Sequence, residues 1–254
     1  MNGITKKAYR GINVFLLSAS GYGSPYWLTY KQTAKIGGNV KTGEKGSPIV
    51  FWKVGKYETD EGVEKDSYLL RYYTVFNTDQ CEGLELLSLP RTRQDNTVDP
   101  IETCETVIKN MQKAPEITFL QDRAFYTPRT DKVNIPPKRL FSDATGYYST
   151  IFHELTHSTG HESRLNRHGE NSLDTHFACE SYSKEELVAE MGAAFLCGQC
   201  GIEPKTLDNS AAYIASWLKQ LRKDKKLVIF AAAQAQKAAD FILNRKAAEY
   251  AKAA

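Results

Sequence analysis

The stretch His153-Glu154-Leu155-Thr156-His157 constrains this chain more than any other. Four residues make about one helical turn, so on a helix the two imidazoles share a face. Neutral imidazole nitrogens at that separation grip one divalent ion, and Glu154, beside the first of them, reaches a water next to the same ion. Two neutral ligands and one proton-handling carboxylate in this order point to a metallohydrolase.

Two segments compete to supply a third ligand. His161 follows in His157-Ser158-Thr159-Gly160-His161, and on an unbroken helix it would lie about 12 Å along the axis from His153. Gly160 would have to end the helix and turn His161 back. The other segment, residues 183–196, reads as a second helix with Ser183 as its cap and acids in its first turns. Glu186 and Glu190 fall one turn apart on one face of it, and Gly192, Ala193 and Ala194 permit close packing against the first helix. From the residues alone, a carboxylate at either position completes the site.

These motifs resemble the HExxH metallopeptidases called gluzincins, where a glutamate from a later helix is the third ligand and a residue four positions on supports a histidine. The resemblance implies Glu186 as the ligand and Glu190 as the partner that orients an imidazole through its far N–H, with the reverse assignment still open. A more specific resemblance, to the ArdC-type antirestriction proteins of conjugative plasmids, runs through Tyr9-Arg10-Gly11-Ile12-Asn13, Trp27-Leu28-Thr29-Tyr30 and Gly43-Glu44-Lys45-Gly46. It continues through the HExxH helix to Gly160-His161 and ends at Glu186-Leu187-Val188-Ala189-Glu190.

That resemblance implies an α+β chain of two domains. The first, 1–105, would be a small α+β module that binds single-stranded DNA, and the second, 116–254, a zincin-like, gluzincin-type metallopeptidase domain. His153, His157 and Glu186 would hold one Zn2+, or Mn2+ or another divalent ion, and Glu154 would act as general base on an unidentified protein substrate. The implied role is protection of incoming plasmid DNA from host restriction during conjugation. The rival reading is a DNA-binding shield whose metal site is structural or proteolytically inactive. Glu154 weighs against it, because a closed structural site has no use for a base.

Charge carries information that the net value hides. The 254 residues sum to +3, yet residues 1–56 hold nine Lys and Arg against Glu44 alone, and residues 57–115 hold six against twelve acids. Such segregation points to an anionic partner for the first segment. Five cysteines do not make a disulfide framework, so a reducing cytoplasm fits the chain, and Cys197-Gly198-Gln199-Cys200 reads as core cysteines at a helix end. No run approaches the eighteen or so apolar residues that a membrane helix requires. Residues 11–19 are expected to form a buried helix rather than a signal segment.

Lysines interleaved with aromatics suit single-stranded nucleic acid, since bases stack on flat side chains and ammonium groups follow phosphates. The candidates are Tyr22, Trp27, Tyr30, Lys31, Lys41, Lys45 and Lys53. The glycines of residues 36–48 would let backbone amides approach a ligand, although no phosphate-loop spacing is present. Strands are expected at 49–53, 67–76, 116–120 and 124–126. Another at 131–135, ending at Pro136-Pro137, reads as an edge strand. Tyr147, Tyr148 and Tyr182 are candidate donors to an oxyanion.

Overall fold

A computed structural model describes residues 1–58, 64–84, 100–167, 180–202 and 225–245, and the chain divides into two units, Met1–Asp95 and Asn96–Tyr250. Each has its own core.

The first unit is built on β3 (Ser47–Glu58) and β4 (Glu64–Asn77), an antiparallel pair in register from Ser47 opposite Val75 to Glu58 opposite Glu64. Both strands run longer than their apolar stretches suggest. Strand β1 (Trp27–Leu28) pairs with the other side of β4, which leaves β3 at the edge. Helix α1 (Ile12–Ser18) covers one face: Leu17, Trp27 and Val75 form the core there, with Tyr9 and Ile49 against it. Only Leu17 of α1 is fully buried, so the helix lies on the sheet rather than inside the unit, a correction to the expectation of a buried helix.

Local hydrogen bonds fix the rest of this unit. The side chain of Asn13 accepts from the Val50 N–H (2.7 Å) and donates to the Val50 carbonyl (2.8 Å). Helix α2 (Tyr30–Lys35) starts at a capping box in which Thr29 and Gln32 satisfy each other's backbone N–H groups. Strand β2 (Asn39–Val40) pairs with β5 (Cys81–Glu82). Buried Gln80 donates to the Glu44 carboxylate (2.8 Å) and the Lys45 carbonyl (2.9 Å), holding the loop between β2 and β3. A Cβ on Gly46 would fall 2.3 Å from Thr74 Cγ2 and 3.0 Å from the Phe76 ring. That glycine lets the loop lie flat on β4, so its approach is to the protein's own strand.

In the second unit, β6 (Glu116–Thr118), β7 (Phe125–Thr127) and β8 (Lys132–Asn134) form a sheet in the order β6-β8-β7. Strand β8 is central, parallel to β6 and antiparallel to β7. The edge expected at 131–135 is therefore elsewhere. Pro136 and Pro137 come after the strand has ended and take no donor from its ladder. Buried Asn134 pins the β6–β7 loop, accepting from the N–H groups of Leu120 (3.0 Å) and Gln121 (3.3 Å) and donating to the carbonyls of Gln121 (3.0 Å) and Arg123 (2.6 Å).

Four helices complete this unit: α3 (Pro100–Asn110), α4 (Ala144–Ser158), which packs on β7 and β8, α5 (Glu180–Cys200) and α6 (Lys225–Ile242). Asp143 caps α4 by accepting from the Gly146 N–H at 2.8 Å. From Tyr147 to Thr156 every residue of α4 is buried, so this helix is enclosed on all sides. Tyr148, Ile151, Phe152 and Leu155 fill the core with Leu196 of α5 and Ile242 of α6. Each such side chain contributes about 1.5–3 kcal/mol of hydrophobic stabilisation. Cys104, Cys197 and Cys200 are buried free thiols in the same core. Burial pushes the Cys197 thiol up to about 11. The thiol of Cys200 is raised by its contact with Cys104 and then by burial. No described helix is long and apolar enough to cross a membrane. The sequence also offers His168 and His176 in a polar loop and, after the Asp208-Asn209-Ser210 cap, an amphipathic helix; all of these lie outside the described residues.

Helix α5 meets α4 at Gly192, where a Cβ would fall 2.4 Å from Thr156 Cγ2. Gly192→Ala should therefore cost about 1–3 kcal/mol through overpacking. Urea denaturation would measure it, with Thr156→Ala in the same chain recovering part of the loss. An unchanged midpoint in the single variant would contradict this close contact.

Candidate metal centre

One helical turn on α4 brings His153 Nε2 and His157 Nε2 to 3.0 Å from each other. From α5, Glu186 places one carboxylate oxygen 3.4 Å from His153 Nε2 and the other 3.3 Å from His157 Nε2. The ligand atoms of these three residues lie within 4.8 Å of one another, and among the described residues theirs is the sole cluster of this kind. Two imidazole nitrogens and a carboxylate oxygen converging on one point suit a divalent ion of the zinc or manganese type. His161 stands apart, its Nδ1 2.8 Å from the Ser163 hydroxyl.

The surroundings of the two histidines differ. His153 Nδ1 is buried without a hydrogen bond, and a Glu190 oxygen lies 3.8 Å from it. His157 Nδ1 faces Glu185 at 3.5 Å, a residue the sequence reading did not single out. Glu185 is itself held by Arg167, which donates from Nε (3.2 Å) and Nη2 (2.6 Å). The same guanidinium donates to the Thr159 hydroxyl (2.6 Å) and the Thr156 carbonyl (3.0 Å), and Arg164 donates to the Ser158 carbonyl (2.7 Å). Two arginines thus satisfy carbonyls at the end of α4, where the helix dipole also favours positive charge. Arg164 in turn pairs with Asp131, which accepts from the Tyr126 hydroxyl at 2.9 Å.

Electrostatics follow from burial and pairing. Burial raises the Glu154 carboxyl above its usual range, against the opposing pull of His157 and His153 and a hydrogen bond from the Tyr126 backbone. A carboxylate whose proton affinity is raised in this way is a better proton acceptor than an ordinary glutamate. Burial also raises Glu190, with His153 opposing. For Glu185, the cost of burial is outweighed by His157 and Arg167, which hold it down to about 2. For His157, burial alone would lower the pKa, yet the Glu185 and Glu186 carboxylates push it up to about 10.

Other expected residues fall in varied places. Tyr148 is wholly buried and donates its hydroxyl to Glu105 at 2.6 Å, which commits it away from an oxyanion role. Tyr147 packs edge-on against Phe141 and Tyr148. The side chain of Tyr182 lies outside the described residues. In the first unit, Trp27 is 4% exposed and forms core, so its ring is not free to stack on a base. Tyr22 is exposed but packs in a T-shaped pair with Trp27, and the Lys41 ammonium donates to the Asp79 carbonyl at 2.8 Å. Tyr30, Lys31 and Lys45 are exposed. The side chain of Lys53 lies outside the described residues.

Comparison with known proteins places this geometry. A family model described as a zincin-like metallopeptidase matches residues 102–235, and one described as the N-terminal domain of anti-restriction factor ArdC matches residues 1–76. The metal-free crystal structure of the antirestriction protein ArdC from plasmid R388 is similar with a TM-score of 0.73 at 39% identity, over 97% of this chain and 89% of that one. Its Mn(II)-bound form gives a TM-score of 0.72 at 39% identity, over 96% and 87%. An uncharacterized protein, y4eC, of Sinorhizobium fredii (strain NBRC 101917 / NGR234) is 32% identical over 95% of this chain and 80% of its own length. Two Escherichia coli proteins named DNA primase TraC are 38% and 36% identical over 96% of this chain. The chain spans only 24% and 17% of their length.

Two outcomes are expected of the centre. Arg167→Ala should lower metal affinity about 10–100-fold by releasing the group that holds His157. Competition against a chromogenic chelator reads it, and wild-type affinity would sink the role. A raised His157 pKa adds stability to the metal-free protein that is full below its ordinary 6.5 and is lost as pH rises through about 10. Metal must displace that proton, so the Tm gain on adding Mn2+ should be larger at about pH 8 than at about pH 6. An equal gain at both would contradict it.

Proposed function

Because the chain belongs to the ArdC antirestriction family, with an ArdC N-terminal domain followed by a zincin-like metallopeptidase domain, we propose that it joins single-stranded-DNA binding to zinc-dependent peptide hydrolysis. The observation that carries the enzymatic half is the convergence of His153, His157 and Glu186 beside a buried Glu154. A structural site would not need that fourth residue.

In this reading His153, His157 and Glu186 hold the ion, Glu185 orients His157 through its outer nitrogen, and Glu190 is the carboxylate that closes on the outer nitrogen of His153 when the ion is bound. The ion, when bound, would polarise a peptide carbonyl and acidify water. Glu154 takes the proton from the attacking water and returns it to the leaving amine. The Tyr126 backbone, on β7, lies beside this carboxylate and favours its charged form. Because His153, Glu154 and Glu186 are buried, these interactions are weakly screened. The first unit, with its excess of basic residues, holds DNA, and the protein substrate is one met on or near that DNA. Protection of plasmid DNA entering a new host during conjugation is the biological role this supports.

Glu154→Gln should leave metal content unchanged and lower casein cleavage by about 10²–10⁴-fold. Full cleavage by this variant would exclude Glu154 as the base. If the metal-loaded wild type cleaves nothing, with or without an added oligonucleotide, the protein is a DNA-binding shield instead.

A further inference from the structure

Strand β4 sorts its side chains by alternation. Val75 points to the α1 side with its partner Ser47, as does Tyr73 with Ile49. Tyr72, Thr74 and Phe76 therefore point to the other side, with Val50 and Pro48 beside them on β3. Among the described residues, that side is open at Pro48, Tyr72 and Thr74. Tyr72 is 66% exposed, and Tyr30, at the first turn of α2, is 64% exposed. The Tyr30 ring meets Phe76 at 6.5 Å with the planes 65° apart. Tyr72 and Phe76 are separated by about 13 Å along the strand.

Around Tyr72 the described end of this face has one chemistry. Pro48, Val50, Tyr72, Thr74 and Phe76 carry no charge, and cations border them. Lys31 follows Tyr30 on α2, and Lys45 precedes Gly46, whose backbone lies against Thr74 and Phe76. Both lysines are exposed, and neither makes an ion pair among the described residues. Glu44, the one acid in residues 1–56, is turned to a hydrogen bond with Gln80. Scattered exposed tyrosines are ordinary on a protein surface. Aromatic rings aligned on one uncharged face with free ammonium groups at its rim are what stacking bases and tracking phosphates require.

We infer that this face of the β3–β4 sheet is where the first unit holds single-stranded nucleic acid, with bases stacking on Tyr72 and Tyr30 and phosphates lying along Lys31 and Lys45. The inference rests on the DNA-binding half of the proposed function and assigns it to residues. It moves the site away from Trp27, which is core, and adds Tyr72, which neighbours no other candidate in sequence. Affinity from this face is largely indifferent to base identity, because every base offers a flat surface.

The test uses the full chain and a fluorescent single-stranded oligonucleotide of mixed sequence, read by anisotropy, beside an abasic oligonucleotide of equal length. Tyr72→Ala and Tyr30→Ala should each raise Kd about 5- to 100-fold for the base-bearing strand. Neither should change binding of the abasic one. Tyr72→Trp should restore affinity, and Phe119→Ala, an exposed aromatic of the second unit, should leave it unchanged. Lys45→Ala should reduce the dependence of log Kd on log salt by about one. Wild-type protein that ignores the oligonucleotide overturns the DNA-binding reading and this face with it. Wild-type binding that survives both tyrosine substitutions overturns the face alone, as does an equal loss on the abasic strand.

Discussion

The contact between Gly192 of α5 and Thr156 of α4 is the constraint on which the metal centre depends. No residue with a Cβ fits there without movement, since that atom would sit 2.4 Å from Thr156 Cγ2. The backbones therefore approach closely, and glutamate side chains on one helix reach imidazoles on the other. Glu185 faces His157 and Glu190 lies near His153, so the two helices pass in opposite directions, with Glu186 between both ring nitrogens. A wider separation would put these acids out of reach of the ring nitrogens. Burial makes the arrangement consequential, because charges at this site are screened weakly and shift one another's proton affinities.

Much of this centre could be read from the sequence because it obeys helical periodicity. His153 and His157 are one turn apart, as are Glu186 and Glu190, and the small residues that follow announced close packing. Glu185 escaped notice because an acid in the early turns of a helix is ordinarily explained by the dipole. Arg167 had no signal at all, since it belongs to an irregular segment and its partners are brought to it by folding. The centre of the second unit's sheet was misjudged for a local reason. A proline after a strand speaks only to that end of it, while the position of β8 between β6 and β7 is set by Asn134 and the loop it fastens.

In the first unit, composition indicated the chemistry but not its location. Aromatic residues do not declare which face of a strand will be covered, and Trp27 met α1 and β4 while Tyr72 met solvent. Helix α1 made that choice by laying Leu17 on Val75. The glycine-rich loop was similarly ambiguous. Its closeness to Thr74 and Phe76 shows that Gly46 is needed for packing, which places Lys45 at the border of the open face as a by-product of fold geometry.

The pairing of Asn13 with Val50 has a consequence for how this unit meets other molecules. Strand β3 ends its sheet, and an unguarded edge recruits further strands from any extended chain. Asn13 supplies the same donor and acceptor that a neighbouring strand would, and so occupies the outward N–H and carbonyl of Val50. The sheet is thereby closed to lengthening at that point. One amide side chain thus guards the edge at Val50, where a strand from another molecule would need those same two groups, and leaves the face of the hairpin uncovered.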